Sequence, residues 1–237
     1  RIFVKAKGNS GYMTYKSSAD ASKTTNFVYN TTAWYSVPVT KGSTSIQLGF
    51  NNCEVYDICV STEAKQVKAF NYATYAYDTD MDLTLTKEAT HVLTYAATVS
   101  GNTVNLTEVN KVAAGQGVVL VNPTDSANAV RTYFFLANAK NVDTYAGPTV
   151  ATNTSDAEVA NQLVGVTEET SIIGGYKSGS GETTNYILSN TYYDKNNANT
   201  KGTGVAFYVA RTGGVTMPAH SAYLPITNAN AANGYYL

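Results

Sequence analysis

Residues 44–61 read TSIQLGFNNCEVYDICVS. Ile46, Leu48 and Phe50 alternate with Gln47 and Gly49, the pattern of a strand with one covered face. Asn51-Asn52 then reads as a turn, since asparagine tolerates turn geometry and bonds its own backbone. Beyond it, CEVYDICVS reads as a second strand. Cys53 and Cys59 share one face of that strand, and Tyr56, Ile58 and Val60 take the other. Only Glu54 and Asp57 interrupt the two apolar faces, which predicts a central strand. The same reading disposes of a disulfide. Residues six apart on one strand are separated by roughly 20 Å, and a disulfide needs Cα atoms within ~7 Å. There is no CxxC spacing and no nearby histidine, so both cysteines read as small apolar side chains in a sheet.

The flanking segments agree with a sheet. RIFVKAKG sets Ile2 and Val4 on one face and runs into a predicted turn at Gly8–Gly11. TNFVYN and WYSVPV follow, separated by NTTA and TKGS. Short alternating runs between Gly, Asn and Ser breaks predict an all-β sandwich.

After residue 65 the pattern restarts. YAATVS, Gly101-Asn102 and TVNLTEV form a predicted hairpin with a two-residue turn. AAGQGVVLVNP, RTYFFLAN, NYILSN, GVAFYVA and HSAYLPIT read as further strands. TSDAEVANQLVG carries a helix-start pattern, with Ser155 as cap and Glu158 three residues on, and predicts a short helix or turn. GGYKSGSGET predicts a hairpin turn, and SNTYYDKNNANTKGTG a long polar loop. NKVAAGQGVVLV and GVTMPAHSAYLPI echo one another as turns feeding core strands.

Composition limits the function. Of 237 residues, 43% are hydrophobic and 14% charged, with a net charge of −1 and 19 tyrosines. No basic stripe exists to hold nucleic acid. No apolar run approaches the ~20 residues of a membrane-spanning helix. The first residues read as the middle of a strand, which predicts part of a longer chain whose export signals lie elsewhere.

Few constellations suggest catalysis. Asp78, Asp80 and Asp82 alternate as in a calcium loop, but Leu83 and Ala89 stand where that loop needs glycine and glutamate. His91 and His220 lie in strand-flank contexts with no G-x-S-x-G elbow. Glu88, Glu108, Glu168, Glu169 and Glu182 could supply a glycosidase pair only if two of them faced each other across a cleft. No catalytic residue, metal ligand or cofactor is assigned. Aromatic side chains are the better lead, because sugar rings pack C–H faces on them and phenols add hydrogen bonds. Tyr12 and Tyr15 flank a predicted loop and Tyr29 ends the next strand, so these three are the carbohydrate-binding candidates. Tyr192 and Tyr193 lie in the polar loop. Trp34 reads as a packing residue.

Trp34, Ser36-Val37-Pro38-Val39 and Tyr56-Asp57-Ile58-Cys59-Val60, with FVKAKG before them, resemble the last strands of galactose-binding-like jelly rolls, such as carbohydrate-binding modules of secreted glycosidases. The match spans residues 1–64, about half of such a module. The resemblance therefore implies a missing N-terminal region, or another chain, covering the sheet edges. Residues 65–237, through NYATYAYDTDMDLT, HVLTYAATVSGNTVNLTEVNKVAAGQGVVLV, NQLVG and MPAHSAYLPI, resemble a β-rich C-terminal domain of secreted and surface proteins of Bacteroidetes. Asp125-Ser126-Ala127 resembles the short O-glycosylation signal of exported proteins in that group. The expectation is thus a partial jelly roll (1–64) followed by a second antiparallel sandwich or barrel-like domain (65–237). Its expected role is that of a secreted or cell-surface, non-catalytic accessory region that binds a glycan or polysaccharide. The alternatives are a structural stalk, adhesin or fibre segment with no small ligand, and a glycoside hydrolase or lyase.

Overall fold

A computed structural model of the chain describes residues 1–60, 63–67, 72–78, 80–84, 87–88, 92–122, 131–135, 157–177, 179–193, 199–227 and 234–237. The fold is all-β and mostly antiparallel. The chain divides into two compact units, Arg1–Ala64 with Phe134–Asp143, and Lys65–Tyr133 with Thr144–Leu237.

The first unit is organised by one long strand, β1 (Ile2–Ser17). It turns into β2 (Asp20–Asn26), and β3 (Thr32–Val37) and β4 (Ile46–Val60) follow. All three pair antiparallel with β1. Along one edge β4 matches β1 from Ile2↔Val60 to Ser17↔Ile46. On the other edge β3 takes the first half of β1 and β2 the second. Ile2, Val4, Ala6, Met13, Phe27 and Val37 form the core, with Tyr15, Tyr35, Ile46, Leu48 and Cys53 packed on it.

Two predicted turns are absent. Gly8–Gly11 lies inside β1, and Asn51-Asn52 inside β4. Between the pairs Gly8↔Cys53 and Tyr12↔Asn51, three residues of β1 face one of β4, so the two segments make a shared bulge. Ser10 and Asn52 hold the left-handed region there, at φ 62° and 47°. The Asn52 amide donates to the Asn9 carbonyl. A side chain on Gly11 would overlap the carbonyls of Asn51 and Asn52, so the close approach requires glycine. On the far edge, Phe27 N donates to Gly11 O at 3.0 Å and Asn30 N to Gly8 O at 2.7 Å. Turn-favouring residues fit a bulge as readily as a hairpin when apolar residues on both sides keep the strands paired.

A second irregularity corrects the reading of β4 as a central strand apolar on both faces. Lys5 pairs with Asp57 but Ala6 with Val55, so Tyr56 is an inserted residue. The bulges at Asn52 and Tyr56 each shift the alternation by one. Ile46, Leu48, Phe50, Cys53, Val55, Ile58 and Val60 thereby all fall on the core-side face, opposite Ser17, Tyr15, Met13, Gly8, Ala6, Val4 and Ile2. The strand is apolar on one face only, and among the described residues it pairs with β1 alone, as an edge. The inserted residue also breaks the parity from which Cys53 and Cys59 were placed on one face. Both cysteines still belong to one strand, too far apart to bond, and Cys53 is free.

In chain order the later strands are β5 (Glu63–Val67), β6 (Tyr72–Tyr75), β7 (Met81–Asp82), β8 (Leu93–Ser100), β9 (Thr103–Glu108), β10 (Lys111–Val112), β11 (Val118–Val121) and β12 (Arg131–Phe135). They continue as β13 (Val164–Val166), β14 (Thr170–Ile172), β15 (Thr183–Tyr193), β16 (Asn199–Val209), β17 (Val215–Met217), β18 (Ser221–Thr227) and β19 (Gly234–Tyr236). Nine of them make one sheet in the order β13-β18-β15-β16-β19-β9-β8-β11-β6. The predicted hairpin is there, with Ser100↔Thr103 closing on Gly101 at φ 61°.

The two ends of this sheet meet. Val164 bridges to Gln116, just before β11. Gly165 N donates to Gly115 O at 2.9 Å, and Ala222 N of β18 to the Thr74 hydroxyl of β6 at 3.0 Å. A methyl on Gly117 would overlap that of Ala222, so this contact also needs a bare backbone. The curled, barrel-like sheet is filled by Ala97, Val104, Val119, Leu163, Tyr186, Phe207, Leu224 and Tyr235. Closure removes the sheet edge that would otherwise invite pairing.

Three local expectations change. The capping pattern does not yield a helix over Ala157–Leu163. Asn161 and Gln162 are instead bound to the sheet: Asn161 Oδ1 accepts from Ala97 N at 3.2 Å, its Nδ2 donates to Gly117 O at 2.8 Å, and Gln162 N donates to Ala97 O at 2.8 Å. Tertiary hydrogen bonds outweigh a weak local propensity here. The predicted polar loop is much shorter, because β15 runs to Tyr193 and pairs it with Asn199 at the start of β16. GGYKSGSGET is no hairpin turn, since β14 pairs with β17 while β15 pairs with β16 and β18. His91, Asp125–Ala127 and Ser155 lie outside the described residues.

Candidate functional site: the outer face of the first sheet

Alternation along β1 sends Val4 and Ala6 into the core and Lys5 and Lys7 to the opposite, outer face. Register then assembles two rungs on that face. One contains Trp34 of β3, Lys5 and Asp57 of β4; the next contains Thr32, Lys7 and Glu54. The Lys5 ammonium lies 5.9 Å from the centre of the Trp34 ring, a cation–π distance.

Tyr56 joins the rungs because it is the inserted residue. Its hydroxyl donates to Glu54 Oε2 at 2.7 Å and also meets the Thr32 side chain on β3. The hydrogen bond to Glu54 raises the Tyr56 hydroxyl above the ordinary tyrosine value. These two rungs, with Tyr56, therefore carry two aromatic side chains, two ammonium groups and two carboxylates. The charge of the two rungs sums to zero, which suits a neutral ligand rich in hydroxyls.

The outer face continues past the bulge. Met13 and Tyr15 turn to the core, so Tyr12, Thr14 and Lys16 turn outward. Thr14, Lys16, Ser22, Gln47 and Gly49 border a shallow groove of about 450 Å³. Gly49 pairs with Thr14, whose hydroxyl lies over the place a Gly49 side chain would take.

The three tyrosines proposed from sequence separate. Tyr12 is on the outer face and half exposed. Tyr15, three residues on in unbroken register, packs on the opposite side, with the Lys23 ammonium 6.0 Å from its ring. Tyr29 lies between β2 and β3, is 70% exposed, and bridges to Gly8. Sequence reasoning passed over Lys5, Lys7, Glu54 and Tyr56. Alternation in FVKAKG carried the signal for the lysines, while nothing in the pattern marked Tyr56 as inserted.

Other candidates are held in structural contacts. Asp80 Oδ1 accepts from Ala114 N at 2.8 Å, and Asp82 Oδ1 from Thr84 N at 3.0 Å. Glu108 pairs with Lys87, and Glu182 accepts from Gly179 N at 3.0 Å. His220 stacks on Tyr77 at 5.0 Å and Tyr75 at 5.9 Å, and its Nδ1 lies 3.1 Å from Ala76 O. Among the described residues no helix is long and apolar enough to cross a membrane, and no cluster of His, Cys, Asp and Glu is arranged to hold a metal. Comparison with protein-family models, with curated proteins and with solved structures finds no match to this chain.

Proposed function

We propose that the chain is a non-catalytic carbohydrate-binding region of a secreted or cell-surface protein, and that its outer sheet face holds a neutral glycan. The observation that carries the reading is the pairing of Trp34 and Tyr56 with hydrogen-bonding groups on two adjacent rungs. Aromatic faces take sugar C–H surfaces, and lysine, carboxylate and threonine groups take hydroxyls. The resemblance of residues 1–64 to galactose-binding-like modules supports the same class of ligand. The resemblance of the remainder to surface-protein domains of Bacteroidetes supports an exported location.

The test is affinity electrophoresis through gels containing a panel of polysaccharides. Trp34 is the single tryptophan, so its fluorescence reports binding directly. The expected result is retardation by a neutral glycan with a shift in Trp34 emission, both weakened about threefold to tenfold by Trp34→Ala. Retardation unchanged by Trp34→Ala and Tyr56→Phe would remove the site.

A second reading, a structural stalk or adhesin segment, is favoured by β4. Its core-side residues Phe50, Val55, Ile58 and Val60 are substantially exposed. A long apolar edge of this kind is open to pairing or to cover by another chain. Sedimentation analysis across a concentration series separates the readings: assembly without glycan retardation supports the structural one.

A further inference from the structure

The two halves of the outer face use their polar groups differently. On the rungs near Trp34 they bond one another: Tyr56 donates to Glu54, and the Lys5 ammonium lies against the Trp34 ring. Beyond the bulge they do not. Directly opposite residues of antiparallel strands share a face, so Tyr12 stands between Asn26 of β2 and Asn51 of β4 on one rung. All three are exposed. Two rungs further along, Lys16 stands beside Gln47 of β4, and Ser22 of β2 borders the same groove of about 450 Å³. Lys16, Gln47 and Ser22 are exposed as well. Among the described residues, none of these side chains is spent on a hydrogen bond or an ion pair.

We infer that these rungs form a second subsite of the same glycan face, centred on Tyr12, and that the ligand is a linear chain of several sugar units lying along β1. The Tyr12 ring offers a surface to sugar C–H groups, and the side-chain amide on each side of it offers donors and an acceptor to hydroxyls. Groups without a protein partner exchange water for ligand hydroxyls and break no protein hydrogen bond in doing so. The Trp34 rung sits at Lys5 and this one at Tyr12, roughly 20 Å apart at ~3.3 Å per residue. That span is far beyond one sugar ring, so only a chain reaches both aromatics. Lys16, Gln47 and Ser22 then meet the units that follow. The inference rests on the proposed glycan-binding function and adds the length and direction of its ligand.

Calorimetric titration of the full chain with xylo-, cello- and manno-oligosaccharides, each from disaccharide to octasaccharide, tests it. The expected result is an affinity that climbs with chain length in at least one series. Tyr12→Ala should weaken the octasaccharide about threefold to tenfold and leave the disaccharide unchanged, while Trp34→Ala weakens both. Asn26→Ala should repeat the Tyr12→Ala pattern with a smaller effect. An octasaccharide that binds no tighter than the disaccharide overturns this inference, as does a climb that persists in full in both Tyr12→Ala and Asn26→Ala. In either case a loss of binding in Trp34→Ala keeps the first rungs as the glycan site. No binding in any series overturns both readings. Circular dichroism of each variant excludes misfolding as the cause of a loss; should Tyr12→Ala misfold, Asn26→Ala, at the exposed end of β2, carries the test.

Discussion

The two units treat the same kind of residue in opposite ways. In the second, the sheet closes over five aromatics: Tyr75, Tyr186, Phe207, Tyr208 and Tyr235 are almost wholly out of water. In the first, three strands and an edge leave the sheet open, and Tyr12, Tyr29 and Tyr56 remain exposed. Tyrosine suits any pleated surface. Whether it becomes core or stays at the surface is decided by whether the sheet finds a partner for that face.

The largest expected effect tests the closed unit. Phe207→Ala should destabilise it by about 3–5 kcal/mol, measured by far-ultraviolet circular dichroism in urea. Trp34 fluorescence should keep its original transition if the first unit folds on its own account; a common shift of both signals would show that the two unfold as one.

Gly11→Ala addresses the open unit. Its new methyl must displace the carbonyls of Asn51 and Asn52, so a loss of about 1–3 kcal/mol is expected. Gly42→Ala, at a positive φ but with open space around it, should lose only about 1 kcal/mol. Equal melting temperatures for the two variants would mean that the shared bulge is not tightly packed.

Alkaline pH should separate the units. Burial, then the neighbouring Tyr235, raises the Tyr186 hydroxyl well above the ordinary tyrosine range. A raised value in the folded state means that folding favours the neutral phenol. The associated stability is complete below the unfolded value of about 10 and declines as pH rises above it. Tyr186→Phe should therefore flatten the fall in unfolding free energy above pH 10; an unaltered slope would assign that fall to other groups.

The smallest effect concerns Cys53, whose thiol burial pushes above its ordinary value. Its alkylation at pH 8 should be slower than that of an unfolded control, since the thiolate is the reactive form, with the modified residue identified by peptide mass mapping. A rate equal to the control would mean that the core-side face of β4 opens freely.

The fold class was legible because alternation and turn chemistry are local. Gly101-Asn102 marked a hairpin, and Val118–Val121 a core strand, without help from distant residues. The site was legible in part. Lys5 and Lys7 follow from alternation with Val4 and Ala6, but their partnership with Trp34, Glu54 and Tyr56 depends on register across three strands. Register here turns on two inserted residues, and Asn51-Asn52 carries the same turn signature whether it reverses the chain or only kinks it. Ala157–Leu163 was misread for a related reason: the hydrogen bonds that hold Asn161 come from Ala97 of β8 and from Gly117, just before β11, more than forty positions away in the chain.

The bulges of β4 act like punctuation in a reading frame. Between Ile46 and Val60 the rule "every second residue faces inward" is restarted at Asn52 and again at Tyr56. Deleting Tyr56 alone would remove the insertion and set Asp57 beside Val55, the phase in which they already pair with Lys5 and Ala6, so Ile58 and Val60 would stay inward. Deleting Cys59 would instead send Val60 to the lysine-bearing face. A single-residue length change in this strand is thus tolerable only at an inserted residue, although the segment's composition resembles a loop in which single insertions would pass unnoticed anywhere.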